Sequence, residues 1–253
     1  MRLFLGISCL ALVSAAAVGA GANAGAPQTA FFQANAAYSD GRFEEAVAAY
    51  ESIIAAGIDG GHLRFNLGNA YFKTGDVGRA ILNYERASRW IPGDPDLDAN
   101  LTYARSLTGA EACVPPLWAN WLFPFASSFP SWQLSMVASC LLALALATLA
   151  LRRIAGTRGR PSAYLAGSCF LMAALVAASA GYRAVQVELS SAVVVVTEGA
   201  APVRFEPAED GTTHFAAPQG SRLEGGETRP GWAQVARCDG RRGWIEAAAI
   251  EAL

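Results

Sequence analysis

Hydrophobic positions follow three different rhythms along the 253 residues. Over residues 27 to 108 they recur at helical spacing, as in Phe43, Ala46, Val47, Tyr50, Ile53 and Ile54, which predicts a series of amphipathic helices. Ser131 to Leu151 and Pro161 to Tyr182 are continuous runs without Asp, Glu, Lys or Arg. The first, at 21 residues, makes about 31 Å of helix, the thickness of a bilayer's hydrocarbon core. From Ala192 onward the pattern alternates, with Val193 to Val196, Val203, Phe205, Trp232, Gln234-Val235 and Trp244-Ile245 predicting short strands. Asp239-Gly240, flanked by two such strands, reads as a two-residue hairpin turn.

Charge placement turns this pattern into a membrane architecture. Charged residues are 16% of the chain, yet none falls between Glu111 and Arg152 or between Arg160 and Arg183. Two such stretches exclude a single water-soluble domain and predict transmembrane helices over 131–151 and 161–182. Trp132, Tyr164 and Tyr182 stand near their ends, as interface-anchoring aromatics do. Arg152, Arg153, Arg158 and Arg160 make the loop 152–160 strongly basic, which assigns it to the cytoplasm and directs both flanking domains outward.

The N-terminus supports the same orientation. Arg2, the uncharged run from Leu3 to Val18 and the Ala22-Asn23-Ala24 cleavage pattern read as a signal peptide over residues 1–24, with an uncleaved anchor as the alternative. Residues 112 to 130 are rich in Trp, Phe and Pro, with Pro115, Pro116, Pro124 and Pro130 against a helix, so 111–130 reads as an interfacial linker on the outer leaflet. Cys140 and Cys169 fall inside the spans. Cys113 and Cys238 fall in the exported parts, where they can pair under oxidising conditions or stand as packed thiols.

Residues 61–94 place Leu67, Gly68, Tyr71, Gly75, Ala80, Tyr84, Ala87 and Pro92 at the spacings of a tetratricopeptide repeat, which the segment resembles, with Arg64 in place of the usual early aromatic. Gly68 and Ala80 let two antiparallel helices approach closely, Leu67, Tyr71 and Tyr84 fill the space beside them, and Pro92 ends the second. A shift of 34 residues sets Gly41, Ala46 and Tyr50 under Gly75, Ala80 and Tyr84, so 27–60 is a degenerate first copy, weaker in its first helix where Ala34 and Ala37 stand. A capping helix follows over 95–108, with Asp94 as N-cap, Pro95 at the first helical position and Leu97, Leu101, Ala104 and Leu107 on one face. The tetratricopeptide domain is therefore expected over 25–110.

Residues 192–253 resemble a bacterial SH3-type domain, carried by VRFEP, Gly220-Ser221-x-Leu223, GWAQV, DGRRGWI and the closing AAAIEAL. Trp232 and Trp244, the aromatic candidates there, read as core or rim residues ahead of ligand-stacking ones. The expected fold class is thus a multidomain membrane protein: all-α tetratricopeptide helical hairpins, a two-helix transmembrane hairpin and a small all-β SH3-like barrel.

Catalytic chemistry is not legible. His62 and His214 stand in different domains without metal-ligand spacing around either, and no phosphate-binding loop, dinucleotide fingerprint or nucleophile elbow occurs. The spans hold no acidic or basic side chain, which argues for anchors over an ion path. Residues 25–130 carry seven basic and eleven acidic side chains and residues 184–253 six and ten, so neither exported part offers a basic face to nucleic acid. No cofactor is expected.

The order of parts, with Phe65 to Ser106 as its most specific segment, resembles the BatE family of the bacterial aerotolerance (Bat) operon. That resemblance implies a non-catalytic inner-membrane protein working beside membrane proteins with von Willebrand factor A domains and a MoxR-type ATPase in envelope or oxidative-stress tolerance. The residues themselves suggest a scaffold whose groove holds a partner through Phe65, Asn66, Asn69, Phe72 and Lys73. Asn66 and Asn69 also read as ordinary repeat positions. The alternative is a cell-wall sensor whose SH3-type domain binds peptidoglycan peptides.

Overall fold

A computed structural model describes residues 25–110, 117–126, 128–154, 160–188 and 191–253. The expected signal peptide, Cys113 and the middle of the basic loop lie outside the described residues. The chain divides into two compact units, Met1–Ile58 and Asp59–Leu253.

The first unit contains helices α1 (Gly25–Ser39) and α2 (Phe43–Ala55), the hairpin expected of the first repeat. Ala34, Ala37, Ala46, Tyr50 and Ile53 are buried, so the small residues of α1 sit where the degenerate copy departs from Gly and Tyr. Phe31 packs against Tyr50, and the Tyr50 hydroxyl donates to Asn35 Oδ1 at 2.6 Å.

In the second unit α3 (Gly61–Thr74), α4 (Val77–Trp90) and α5 (Pro95–Thr108) form the second repeat and its cap. Gly75 closes α3 at φ 90°, and Gly41 and Gly109 hold positive φ one period before and after it, so the 34-residue repeat is written into the turns. Asp76 caps α4 by accepting from the Arg79 N–H. Asp94 caps α5 by accepting from the N–H groups of Asp96 and Leu97, with Pro95 at the first position as expected. Leu97, Leu101 and Ala104 are buried, but Leu107, expected on the same face, is 55% exposed. Arg64, the departure from the repeat pattern, reaches back to pair with Asp59 at 2.7 Å and donates to Asn83 Oδ1.

After α6 (Leu117–Leu122) come α7 (Ser131–Ile154) and α8 (Arg160–Arg183), two apolar helices each long enough to cross a membrane. They pack on each other through Leu134, Ala138, Val176 and Ala180, with Phe125 and Leu141 beside them. Their outward surfaces carry exposed Met136, Leu142, Leu144, Leu146, Phe170 and Leu171. Helix α8 runs on into a π-helical turn, Ala184–Glu188. Cys140 and Cys169 are free thiols on these helices, while Cys238 is disulfide-bonded, its partner outside the described residues.

The C-terminal part is a seven-stranded antiparallel sheet, β1 (Ala192–Val195), β2 (Ala200–Arg204), β3 (Thr213–Pro218), β4 (Arg222–Arg229), β5 (Trp232–Ala236), β6 (Arg242–Glu246) and β7 (Ile250–Ala252), in the order β3-β2-β6-β5-β4-β1-β7. Strands β3 and β4 stand four places apart, roughly 19 Å in a flat sheet. The link Gln219–Gly220–Ser221 spans at most about 14 Å, so the sheet has to curl. Its inner face shares one core of Val195, Val203, Phe215, Leu223, Val235 and Ile245. Phe205, expected to extend β2, lies past its end and stacks on His214 at 4.3 Å. The β5–β6 turn is also longer than expected: the Arg237 N–H donates to Arg241 O, enclosing Cys238, Asp239 and Gly240, with Gly240 at φ 87°. Three-residue hairpin loops commonly close on one left-handed residue, the place Gly240 takes, whereas a type I′ two-residue loop needs two.

Helix α4 lies against this sheet. Gly220, at φ 81°, turns the chain where a Cβ would stand 2.2 Å from Ile81 Cδ1. A methyl there would meet both backbone strain and overlap with a fully buried side chain. Gly220→Ala is expected to cost about 2–4 kcal/mol, whereas Gly231→Ala, at φ 77° with open space around it, costs about 1 kcal/mol. Chemical denaturation of the detergent-solubilised chain gives both values. Equal losses would show that the contact between α4 and the sheet contributes nothing to stability.

Candidate partner-binding face

Helix α4 is covered from two directions. Toward α3, Ala80, Tyr84 and Ala87 are buried, and a Cβ on Gly68 would stand 2.6 Å from the Tyr84 ring. Toward the sheet, a Cβ on Gly78 would meet Val196 O at 2.8 Å and Gln219 at 2.9 Å, Arg79 pairs with Glu251 at 3.1 Å, and Arg86 donates to Ala252 O. The hydrogen bond to Glu251 raises the Arg79 pKa; burial, followed by the nearby Arg64 charge, lowers that of Arg86. Glu85 is 4% exposed, and its carboxylate takes Arg105 of α5 on one oxygen and Arg222 of β4, at 3.4 Å, on the other. The same Arg222 donates to Gln186 O in the π turn.

On the side of α3 turned toward α5, Asn69, Phe72 and Asn100 are half-buried while Lys73 and Tyr103 are exposed. Asn69 Oδ1 accepts from the Tyr84 hydroxyl at 2.8 Å and from Asn100 Nδ2 at 2.9 Å. Both bonds end on the oxygen of Asn69, and the second uses the amide nitrogen of Asn100. Among the described residues no hydrogen bond engages Asn69 Nδ2 or Asn100 Oδ1, which leaves one donor and one acceptor of the kind a peptide group complements. One turn along, Phe72 packs on Tyr103 at 5.8 Å, and Tyr103 is 57% exposed. Lys73 is exposed at the end of the row.

The residues expected at the groove are thus distributed over two environments. Asn69, Phe72 and Lys73 stand on the α3–α5 side. Phe65 is half-buried against the Tyr84 ring at 6.0 Å, inside the α3–α4 hairpin, and Asn66 is half-buried and engaged in a contact of its own. The residues expected to pack the repeat, Leu67, Gly68, Tyr71, Ala80, Tyr84 and Ala87, are buried, and Pro92 is half-buried after the end of α4. Asn100 and Tyr103 were not visible as site residues because the third copy stops before its pattern can be recognised. Asn35–Tyr50 and Asn69–Tyr84 repeat the same hydroxyl-to-amide bond at the same 15-residue separation, a signal the periodicity contained.

On the sheet, Arg204 lies over the Trp232 ring at 5.7 Å and Arg229 over Trp244 at 4.6 Å, with Trp244 only 7% exposed. His214 meets Arg242 O at 3.0 Å, and His62 is exposed on α3. Among the described residues no three His, Cys, Asp or Glu side chains stand together as metal ligands would.

Two measurements test these contacts. Glu85→Gln leaves two partly covered guanidinium groups facing a neutral amide, with an expected loss of about 2–3 kcal/mol at pH 7; a loss near zero would mean solvent already screens the bridge. Burial raises the Asp59 pKa, but the hydrogen bond and charge of Arg64 outweigh it and hold the carboxyl below its ordinary value. The folded pKa being the lower one, this stabilisation is present above about pH 4 and lost as pH falls through the folded value. Asp59→Asn should therefore lower the melting temperature at pH 7 and leave it unchanged near pH 2, by thermal scans of both chains.

Residues 61–94, spanning α3 and α4 with their turn, match the tetratricopeptide repeat family. No curated protein matches the chain. The segment between Gly61 and Asp94 is a tetratricopeptide repeat, a module whose relatives serve protein–protein interaction.

Proposed function

We propose that the chain is a non-catalytic, membrane-anchored scaffold that holds a segment of a partner protein on the α3–α5 face of its repeat. One observation carries this reading: the sheet covers the far side of α4, while Asn69, Asn100, Phe72 and Tyr103 leave a donor, an acceptor and an aromatic step on the open side. An extended main chain laid across the two amides would be read without regard to its sequence, and the aromatic pair would select an apolar side chain.

The anchoring half of the reading rests on α7 and α8. Only 11% and 28% of their apolar windows are buried, the reverse of core helices in a soluble domain. With the basic loop 152–160 in the cytoplasm, the repeat and the sheet both lie on the outer side of a bacterial inner membrane, in the periplasm, after a signal peptide at residues 1–24. The curled sheet around its single core supports the SH3-type reading of residues 192–253. The resemblance to the BatE family supplies the partner class: membrane proteins with von Willebrand A domains, and through them a MoxR-type ATPase, in aerotolerance.

A cell-wall sensor working through Trp232 and Trp244 is the less favoured reading, because Arg204 and Arg229 already lie over those rings. Photo-crosslinking in cells separates the two. A photoreactive residue at position 72 is expected to capture a membrane protein with a von Willebrand A domain. Capture of peptidoglycan fragments from position 232, with nothing trapped at 72, would reject the scaffold in favour of the sensor.

A further inference from the structure

The segment between the repeat and α7 has an unusual surface. Trp121 is 88% exposed, Leu122 56% and Phe129 45%, and Trp132, the second residue of α7, is 58% exposed. Tryptophan is rarely left so bare in water, since its large ring gains most from leaving it. No Asp, Glu, Lys or Arg lies between Glu111 and Arg152, so no charge opposes moving this surface into a less polar medium.

Three contacts hold the segment at the end of the helical hairpin. The Phe123 ring stacks on Tyr182, near the end of α8, at 4.4 Å and 12°. Phe125 packs beside Leu134, Ala138, Val176 and Ala180. Arg183 donates from Nη1 to Ala126 O at 2.9 Å. Trp121 and Leu122 are therefore carried at the level where both apolar helices stop, the depth at which Trp and Tyr favour the lipid–water boundary. Nη2 of the Arg183 guanidinium donates to Ser88 O, in the last turn of α4, at 3.0 Å. One arginine thus joins this segment, α8 and the repeat.

We infer that Trp121, Leu122 and Phe129 form a binding site for the lipid–water interface of the outer leaflet, which sets the height of the repeat above the membrane. The inference rests on α7 and α8 being transmembrane. A lipid surface suits this patch better than a protein partner. Its uncharged aromatic composition continues that of the exposed faces of α7 and α8, and Tyr182 and Trp132 flank it on both helices.

Full-length chains retaining a single tryptophan, Trp121 or Trp132, with the others changed to Phe, are reconstituted into phosphatidylglycerol–phosphatidylethanolamine vesicles carrying lipids brominated at shallow or deep acyl positions. Trp121 emission is expected to be quenched within about twofold of Trp132 and more by shallow than by deep bromines. Quenching of Trp132 with Trp121 unaffected would overturn the lipid site while leaving the spans in place. Absence of quenching at both positions would overturn the transmembrane reading, and the lipid site with it. If the single-tryptophan chains lose their circular-dichroism spectrum, a diazirine phenylalanine at position 121 of the otherwise natural chain gives the same answer. A phospholipid adduct supports the site, and a protein adduct without lipid overturns it.

Discussion

Helix α4 is packed from two sides at once, and the rest of the second unit is arranged by that constraint. An amphipathic surface helix keeps a polar stripe for solvent; here even Asn83 and Glu85 are buried, alongside Ile81 and Leu82 with no exposed surface. Burial of a carboxylate is tolerable only where charge and hydrogen bonds replace the lost water. Glu85 obtains both from Arg105 and Arg222, which come from the cap and from the sheet. The pair Glu85–Arg222 crosses 137 residues of sequence, so the carboxylate is satisfied only when helix, cap and sheet are all in place.

A second arginine extends this logic to the apolar hairpin. Arg183 is 7% exposed and gives its donors to two backbone carbonyls, of Ala126 and Ser88, which are fixed points of other elements. Guanidinium suits this role because its planar donors can meet several acceptors while the charge needs less hydration than an ammonium. The end of α8 is thereby tied to the last turn of α4, and Arg222 bonded to Gln186 O ties the following turn to the sheet. Repeat, hairpin and sheet meet within one short stretch of α4, from Glu85 to Ser88.

Much of this was legible in the sequence, for reasons that differ by element. The repeat could be read because its constraints are local and periodic: glycines that must turn left-handed at 41, 75 and 109, and small residues where helices touch. The apolar helices could be read from length and missing charge alone. Strand β4, RLEGGETR, was hidden because its glycines and charges break the alternation that marks a half-buried strand; Gly225 lies beside its register shift. The contact between α4 and the sheet left almost no local trace. The close approaches at Gly78 and Gly220 belong to surfaces brought together only by the fold. The amide pair left a trace in the Tyr–Asn spacing shared by both repeats, while its other half, Asn100, stands in a copy too short to recognise.

Joining the domains through α4 also bears on how a ligand could act. In a solenoid of independent repeats, either face of a hairpin is open to partners, and neighbouring modules move separately. Here the sheet occupies one face of α4, and on the other side of the repeat the Tyr84 hydroxyl orients Asn69. Tyr84 is itself wedged against Gly68 and fully enclosed, so the hydroxyl that sets the amide cannot swing without disturbing the helix that carries Glu85. The donor and acceptor at the groove are therefore held by the same helix that bonds to the sheet and to the hairpin. Preorganisation of this kind lowers the ordering cost of binding, since the amides need not be fixed by the ligand. It suits a fixed platform better than a flexible tether: a segment bound at Asn69 and Asn100 would be held in a defined position relative to α7 and α8.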